Sequence, residues 1–407
     1  MANPQRYDLY SDDFRAQTYS TFAQMRADDP VICQPGIDGQ TMIWFVTRHD
    51  DVVRVLLDDE RFVRDPSLAL TPEQLEASMS QMPDSFAFIE QHMLNRDGAD
   101  HRRLRRLVTK AFTPRMVEQL RPRIEEIASE LLDAVEARGE MDVVEEYAFP
   151  LPITVIAELL GIPAADRDRF RRWSNAVVTP SFGPDALAEF GNLMADFVAY
   201  LRALFDRRRS EPAEDLISAL LQVRDGGDAL SEQELFSMVV LLIVAGHETT
   251  VNLIANAVLA LLEHPDQLAE LRRDPARVPA AIEECLRFDG PVERALNRWA
   301  ASDVELGGHT IRRGDDVIVI LGSANRDPER FPEPNVLDLD RDDTKHVAFG
   351  RGSHYCLGAP LARLEGEVAL TTLLRRLPGI RLAVTRDELR WRPVPLFRSL
   401  ASLPIAW

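Results

Sequence analysis

The feature that most constrains the fold is a long helical pattern rich in apolar residues in the middle of the chain, from Ser231 to about Glu263. Ser231 and Glu234 have the spacing of a capping box, so a helix is expected to begin here. At about 1.5 Å per residue such a helix spans about 50 Å, which is enough to cross a whole domain. Its middle is therefore expected to be buried, with other elements packed around it.

The rest of the chain combines helical patterns in its first half with short strands later. Apolar residues recur with a helical period over residues 99–138 and 153–209, which predicts helices there. After Arg287, short β-rich runs alternate with turns. Because no repeat, low-complexity tract or linker interrupts the pattern, we predict one domain, residues 1–407, that is mainly α with smaller β-sheets (α+β).

Composition and charge argue against several classes of function. The 407 residues include 47 Lys and Arg against 66 Asp and Glu, a net charge of −19, which disfavours a nucleic-acid binder because phosphate repels such a surface. Cys33, Cys285 and Cys356 are too few and too dispersed for a disulfide framework. We see no signal peptide and no apolar run of the roughly 20 residues that a membrane span needs. We therefore expect a cytoplasmic protein with no membrane partner.

A glycine-rich loop around Cys356 is the most informative stretch for chemistry. Gly350, Gly352 and Gly358 surround the cysteine immediately before a helical pattern, which predicts a tight loop that presents sulfur at a helix N-terminus. Backbone N–H groups and the helix dipole stabilise a thiolate there, so we expect the pKa of Cys356 to lie below the free value of about 8.5. Such a sulfur is either a nucleophile or a metal ligand.

Other interpretations of these motifs fail on individual positions. A dinucleotide fingerprint beginning at Gly350 needs glycine where Tyr355 stands, and no P-loop lysine is present. His354 is near Cys356, but no signature of a cysteine protease surrounds it. His247 and Glu248 begin a zinc-protease motif that position 251, a valine, does not complete. A buried structural cysteine in a Gly-rich turn remains as the alternative without chemistry.

The pattern Phe349, Gly352, Cys356, Gly358 resembles the haem-binding loop of the cytochrome P450 family. Three further motifs agree in order and spacing: residues 245–250 with the central-helix motif, Glu284 to Arg287 with E-x-x-R, and residues 331–335 with the meander. The resemblance covers nearly the whole chain. It implies the cytochrome P450 fold and a haem b whose iron is held by the Cys356 thiolate. The further haem contacts that it implies are Phe349, Gly350, Gly358 and Ala245.

The resemblance also assigns partners to the haem propionates. His101 and Arg105 are four residues apart on a predicted helix, so both side chains can point one way. Arg298 and His354 match the other propionate-binding positions. Each of these residues could instead be an ordinary surface charge, although this is a weaker explanation for all four together.

Two polar residues in the central apolar run have two interpretations. Ala245, Gly246 and Thr249 share one helix face, and their small side chains leave room for a flat or small group. From the residues alone, Thr249 bonds back to its own helix and Glu248 is solvated. The resemblance implies oxygen activation, with Thr249 as a hydrogen-bonding group and Glu248 helping to deliver protons. It makes Glu284 and Arg287 a buried structural pair.

The resemblance implies an apolar organic substrate whose identity the sequence does not choose. The positions that correspond to substrate contacts lie in five segments. They are Phe86, Phe88, Phe182, Leu242, Gly246, Val292, Ala295, Leu396 and Phe397.

The function implied is a monomeric monooxygenase that hydroxylates or epoxidises its substrate with O₂ and two electrons. No flavin or ferredoxin module is visible, so the electrons are expected from a ferredoxin with its reductase or from a flavodoxin-type donor. A basic patch could dock such an acidic partner, or it could be a solvated helix face; it consists of Arg102, Arg103, Arg106, Lys110 and Arg351. The alternatives are a peroxide-driven peroxygenase of the same fold and a non-catalytic haem protein that binds ligands or carries electrons.

Overall fold

The computed structural model describes residues 6–79, 91–167, 169–170, 172–173 and 184–407. Within these ranges the chain is mainly helical with small sheets, as predicted. The α-helices are α1 (Asp12–Ala16), α2 (Thr18–Asp28), α3 (His49–Leu57), α4 (Pro72–Met79), α5 (Gly98–Ala111), α6 (Pro114–Gln119), α7 (Arg121–Asp133), α8 (Pro150–Leu159), α9 (Pro184–Ser210), α10 (Leu216–Gln222), α11 (Glu232–Glu263), α12 (Pro265–Arg273), α13 (Val278–Asp289), α14 (Leu321–Ala324) and α15 (Ala359–Arg376).

Shorter elements connect these helices. The strands are β1 (Val31–Pro35), β2 (Met42–Val46), β3 (Phe62–Val63), β4 (Glu140–Asp142), β5 (Arg298–Ala300), β6 (Val304–Leu306), β7 (His309–Ile311), β8 (Asp316–Val319), β9 (Arg381–Leu382) and β10 (Pro404–Ala406). Single 3₁₀ turns lie at Pro66–Leu68, Met93–Asn95, Glu136–Arg138, Ala164–Asp166, Pro275–Arg277, Gly352–His354 and Arg386–Glu388, and Val144–Ala148 is π-helical.

Helix α11 is the long central helix that the sequence predicts. The Ser231 hydroxyl accepts a hydrogen bond from the Glu234 N–H at 3.2 Å, and the Glu234 carboxylate accepts one from the Ser231 N–H at 2.8 Å. The predicted capping box is therefore confirmed. Helices α8, α13 and α15 pack against α11, and residues 250–261 are buried without a break. Such burial on every side accounts for a helix that is apolar all round.

Among the described residues, α11 is also the helix long and apolar enough to cross a membrane by length and composition. The expectation that no apolar run reaches this length is therefore wrong. Of its most apolar 18-residue window, 67% is buried inside the protein. Its hydrophobicity is thus accounted for by its place in the core.

The largest sheet has the strand order β1-β2-β8-β5-β3. Strands β2 and β8 pair in parallel, and the other neighbours are antiparallel. A second sheet, β4-β10-β9, and the hairpin β6-β7 complete the strands of the described chain. Strand β5 lies between β8 and β3, and Arg298 at its first position pairs with Val317 of β8 and is buried.

Glu284 and Arg287 tie helix α13 to the irregular segment that precedes the cysteine loop. Both side chains are at most 1% exposed, and two N–H groups of Arg287 donate to the Glu284 carboxylate at 2.7 Å. Arg287 also donates to the carbonyl groups of Asn325, Pro334 and Val336 at 2.9–3.1 Å. One buried ion pair therefore satisfies three loop carbonyls, which fixes the path of residues 325–336 beneath the loop.

Candidate functional site

A cavity of about 290 Å³ lies between the central helix and the cysteine loop. Its walls are predominantly apolar, with leucine, alanine and valine side chains from α8, α11 and residues 292–296. The structure brings most of the predicted site residues to this one cavity. They are His101, Arg105, Leu242, Ala245, Gly246, Thr249, Val292, Ala295, Arg298, Phe349, Gly350, His354, Cys356 and Gly358.

The cysteine loop has the tight backbone that its glycines predict. Gly350 and Gly352 have φ angles of 69° and 75°, in the left-handed region that favours glycine. A Cβ atom on Gly352 would lie 2.7 Å from the carbonyl oxygen of Leu56, so glycine also permits the close approach of α3. The N–H of Cys356 donates to the carbonyl of Phe349 at 2.9 Å. These contacts place the sulfur on the cavity wall directly before α15.

The pKa of Cys356 differs from the sequence expectation. Cys356 is accessible from the cavity, but protein atoms surround its sulfur, and this burial raises the pKa of the thiol. Hydrogen bonds from the N–H groups of Gly358 and Ala359, together with the charge of Arg105, act in the lowering direction. Because the cost of desolvation is larger, the prediction of a lowered pKa is wrong. A positive partner, such as a metal ion, would offset this cost and favour the thiolate.

Cationic side chains collect at one end of the cavity. The rings of His101 and His354 lie 4.2 Å apart between centroids, and His354 Nε2 lies 3.3 Å from a carboxylate oxygen of Asp97. Arg105 donates to the carbonyl of Tyr355 at 2.6 Å, and Arg298 donates to that of Phe62 at 2.9 Å. One helix (α5), one strand (β5) and the 3₁₀ turn at Gly352–His354 therefore bring the four predicted propionate partners to one end of the cavity.

His101 at this end of the cavity presents a buried ring nitrogen that can donate a hydrogen bond. Its Nε2 atom is buried and has no hydrogen-bond partner among the described residues. Burial, and then the nearby His354 and Arg105, lower the pKa of His101 to about 4. A carboxylate here would accept a hydrogen bond from Nε2 and lie beside the charge of Arg105. The site thus fits a flat apolar group that carries carboxylates and an ion able to bind sulfur, which is the chemistry of haem.

Arg64 belongs to the same wall and was missed by the sequence analysis. It follows strand β3, lines the cavity, and donates to the Leu94 carbonyl at 3.1 Å and the Asn95 side chain at 3.2 Å. It also donates to the carbonyl of Asn297, next to Arg298. An arginine directly after a two-residue apolar strand was the available signal, but its partners lie about 30 and 230 residues away in the chain.

Thr249 and Glu248 face different surroundings. The Thr249 hydroxyl lines the cavity and donates to the carbonyl of Ala245 at 2.7 Å, which is the bond back to its own helix that the residues alone suggested. The Glu248 side chain is 4% exposed and is bound by Arg392 at 2.6 Å, so the expectation that it is solvated is wrong. It is not among the described residues that line the cavity.

The predicted substrate contacts divide into three groups. Leu242, Gly246, Val292 and Ala295 line the cavity. Leu396 and Phe397 are not in its lining, although their backbone pairs with residues 292–294. The last group, Phe86, Phe88 and Phe182, lies outside the described residues.

The predicted basic patch is partly neutralised by its own neighbours. Arg106 and Lys110 both contact the carboxylate of Asp225, at 2.9 and 2.6 Å. Arg103 is paired with Asp228 and Glu234. Three of the five cations of this patch are therefore paired with acidic side chains, because the acidic turn before α11 folds back onto α5.

Known proteins resemble this chain over almost its whole length. The family model described as Cytochrome P450 matches residues 182–378. Cytochrome P450 107B1 of Saccharopolyspora erythraea is 47% identical over 97% of this chain and 96% of its own. The cytochrome P450 monooxygenase PikC of Streptomyces venezuelae is 45% identical over 100% and 95%. The structure of cytochrome P450 PksS, from the bacillaene polyketide synthase of Bacillus subtilis 168, matches with a TM-score of 0.90 and 40% identity over 98% and 99%.

Proposed function

Because the chain belongs to the cytochrome P450 family, we propose that it is a haem-thiolate monooxygenase with Cys356 as the ligand of the iron. The family's cofactor is haem b and its activity is monooxygenation; the ligand, the substrate and the electron donors are the parts proposed here. The observation that carries the proposal is the sulfur of Cys356 on an apolar cavity that also ends in His101 and Arg298.

When bound, haem supplies a redox-active iron that activates O₂ for insertion of one oxygen atom into a C–H or C=C bond. The residues of the cavity would hold it from several sides. His101, Arg105, Arg298 and His354 would bind its carboxylates by charge-assisted hydrogen bonds. The remaining contacts proposed for the ring are Phe349, Gly350, Gly358 and Ala245.

Thr249 is proposed to take part in proton transfer within the cavity through its hydroxyl group. Its hydroxyl proton is directed to the Ala245 carbonyl, so its oxygen lone pairs are free to accept a hydrogen bond from a group in the cavity. Glu248 precedes Thr249 by one residue and is connected to the surface through Arg392. We propose that Glu248 supplies protons to this region, which requires the carboxylate to leave Arg392 during turnover.

The substrate proposed is an apolar organic molecule, which is hydroxylated or epoxidised. Leu242, Val292 and Ala295 offer carbon surface and no charge to such a molecule. PksS is described with a polyketide synthase, so lipophilic polyketides are the first class to screen. Cytoplasmic location and electrons from separate ferredoxin or flavodoxin partners also belong to the proposal.

The test is a reconstituted reaction under ¹⁸O₂ with NADPH, a ferredoxin and its reductase, using a panel of lipophilic polyketides. The proposal predicts a product with one ¹⁸O atom, formed only when all the protein components are present. A parallel reaction with hydrogen peroxide alone decides the nearest alternative. Equal turnover with peroxide alone would make the protein a peroxygenase. Substrate or ligand binding without any oxidation would favour the non-catalytic haem protein.

A further inference from the structure

An ion pair lies behind the cysteine loop, against the ring of Phe349. The guanidinium carbon of Arg363, on α15, is 4.6 Å from the centroid of the Phe349 ring. Two of its N–H groups donate to the two carboxylate oxygens of Glu283, on α13, at 2.7 and 2.9 Å. A third donates to the hydroxyl of Tyr355 at 3.3 Å. The planar guanidinium is therefore held in one orientation over the ring.

Both members of this pair carry their charge at neutral pH. Burial tends to raise the pKa of Glu283, but hydrogen bonds from His346 and Arg363 outweigh it and lower that pKa to about 2. His346 is itself buried, with Nε2 3.4 Å from the Glu283 carboxylate and its ring 6.0 Å from that of Phe349. The ring of Phe349 thus has a fixed cation beside it and a fixed anion behind that cation.

Phe349 connects this pair to the sulfur. Its ring lines the cavity together with Cys356, and its carbonyl accepts the Cys356 N–H at 2.9 Å. A cation over an aromatic face interacts with the ring electrons and raises the electrostatic potential beyond the ring. A more positive potential near a metal-bound thiolate favours the reduced iron, because reduction adds negative charge.

We propose that Arg363 is a positioning residue for Phe349 and that the Arg363–Glu283 pair sets the reduction potential of the iron. Arg363 raises the potential, and Glu283 limits that rise by compensating the charge. This inference rests on the proposed function, since it requires Cys356 to be the iron ligand. If the two side chains only stabilised the loop, removing either one would shift the reduction potential in the same direction. An electrostatic role gives the two removals opposite signs.

The experiment measures the midpoint potential of the haem-loaded protein by spectroelectrochemical titration, for wild type, Arg363→Gln and Glu283→Gln. The expected order is Glu283→Gln above wild type and Arg363→Gln below it. Arg376→Gln is the matched control, because Arg376 is on the same helix and pairs with Asp133 and Glu136 away from Phe349. Its substitution changes the charge equally and is expected to leave the potential unchanged.

Failure of the inference and failure of the proposed function give different results. The proposed function would be overturned if the reduced wild-type protein with carbon monoxide lacked the red-shifted Soret band of a thiolate ligand. With that spectrum present, shifts of the same sign in the two variants would overturn the inference, as would an Arg363→Gln potential equal to that of Arg376→Gln. If Arg363→Gln loses the thiolate ligation of the iron, Arg363→Lys replaces it, because lysine keeps the cation. The inference then requires the midpoint potential of Glu283→Gln to lie above those of Arg363→Lys and wild type.

Discussion

Glu248 and Arg392 form an ion pair, with 2.6 Å between Oε1 and Nη1, that links the central helix to the C-terminal segment. Glu248 is 4% exposed and Arg392 is 29% exposed, so the arginine stands between the buried carboxylate and the surface. Asn252 and Ser399 are each 3.5 Å from the same carboxylate oxygen. The acid of the central-helix motif is therefore anchored by a residue 144 positions later in the chain.

Arg392→Gln is expected to lower stability because it leaves the Glu248 carboxylate buried with weaker partners. A loss of about 1–3 kcal/mol is typical for a charged hydrogen bond removed in this way. Thermal unfolding of the haem-loaded protein measures it. Glu248→Gln combined with Arg392→Gln should be less destabilised than Arg392→Gln alone, since the buried charge is then gone. Arg390→Gln is the control, since the hydrogen bonds of Arg390 go to the carbonyls of Asp387 and Leu389. A double variant less stable than Arg392→Gln would contradict the account.

Thr249→Ala is expected to uncouple the reaction. The substitution removes the hydroxyl proposed to take part in proton transfer, while the apolar walls of the cavity remain. Product formed per NADPH consumed should fall roughly tenfold or more. Thr249→Ser keeps a hydroxyl and should recover most of the yield. Unchanged product per NADPH in Thr249→Ala would remove Thr249 from the mechanism.

Glu284→Gln should be among the most destabilising single changes. It leaves Arg287 charged and buried, and breaking such a pair costs about 3–5 kcal/mol. The measurements are the unfolding temperature and the yield of haem-loaded protein. Glu118→Gln breaks an exposed pair with Arg121 and should cost far less stability, because water screens that pair. Similar losses of stability from the two substitutions would show that the buried pair stabilises the protein no more than the exposed pair does.

Glu365 is expected to make stability depend on pH. It is buried on α15, and burial raises its pKa to about 8 against a weaker lowering effect of its hydrogen bond with Thr250. The folded protein therefore keeps this proton up to about pH 8, whereas the unfolded chain releases it near the ordinary value of 4.5. The stability contributed by the neutral side chain is complete below about pH 4.5 and is lost as the pH rises towards 8.

Unfolding of wild type and Glu365→Gln at pH 5 to 8 tests this dependence. The variant should gain stability relative to wild type by about 1.4 kcal/mol per pH unit across the interval. Glu367→Gln, on the same helix and paired with Arg121, controls for substitution at that helix. A difference between Glu365→Gln and wild type that is constant with pH would contradict the raised pKa.

Local patterns were sufficient to predict the central helix and the cysteine loop. The capping box at Ser231 and the glycines around Cys356 act over a few residues, so the local geometry follows from residues that are neighbours in the sequence. The prediction that His101 and Arg105 share one face of α5 was equally local. The same reasoning predicted where the sulfur would lie.

Long-range contacts and burial were beyond the sequence patterns. Arg64 and Arg392 reach the site region only through folding, and nothing near them in the chain indicates their partners. The acidic turn at Asp225 neutralises part of the basic patch for the same reason. The raised pKa of Cys356 depends on how completely protein surrounds the sulfur, and the N–H donors predicted from the sequence do not outweigh that burial.

The central claim is that Cys356 binds the haem iron as a thiolate. The most direct test is the absorbance spectrum of the reduced protein with and without carbon monoxide, for wild type and Cys356→Ser. The account predicts a strongly red-shifted Soret band in the wild type that is lost in the variant. A band typical of histidine ligation in the wild type, or an unchanged band in Cys356→Ser, would contradict it.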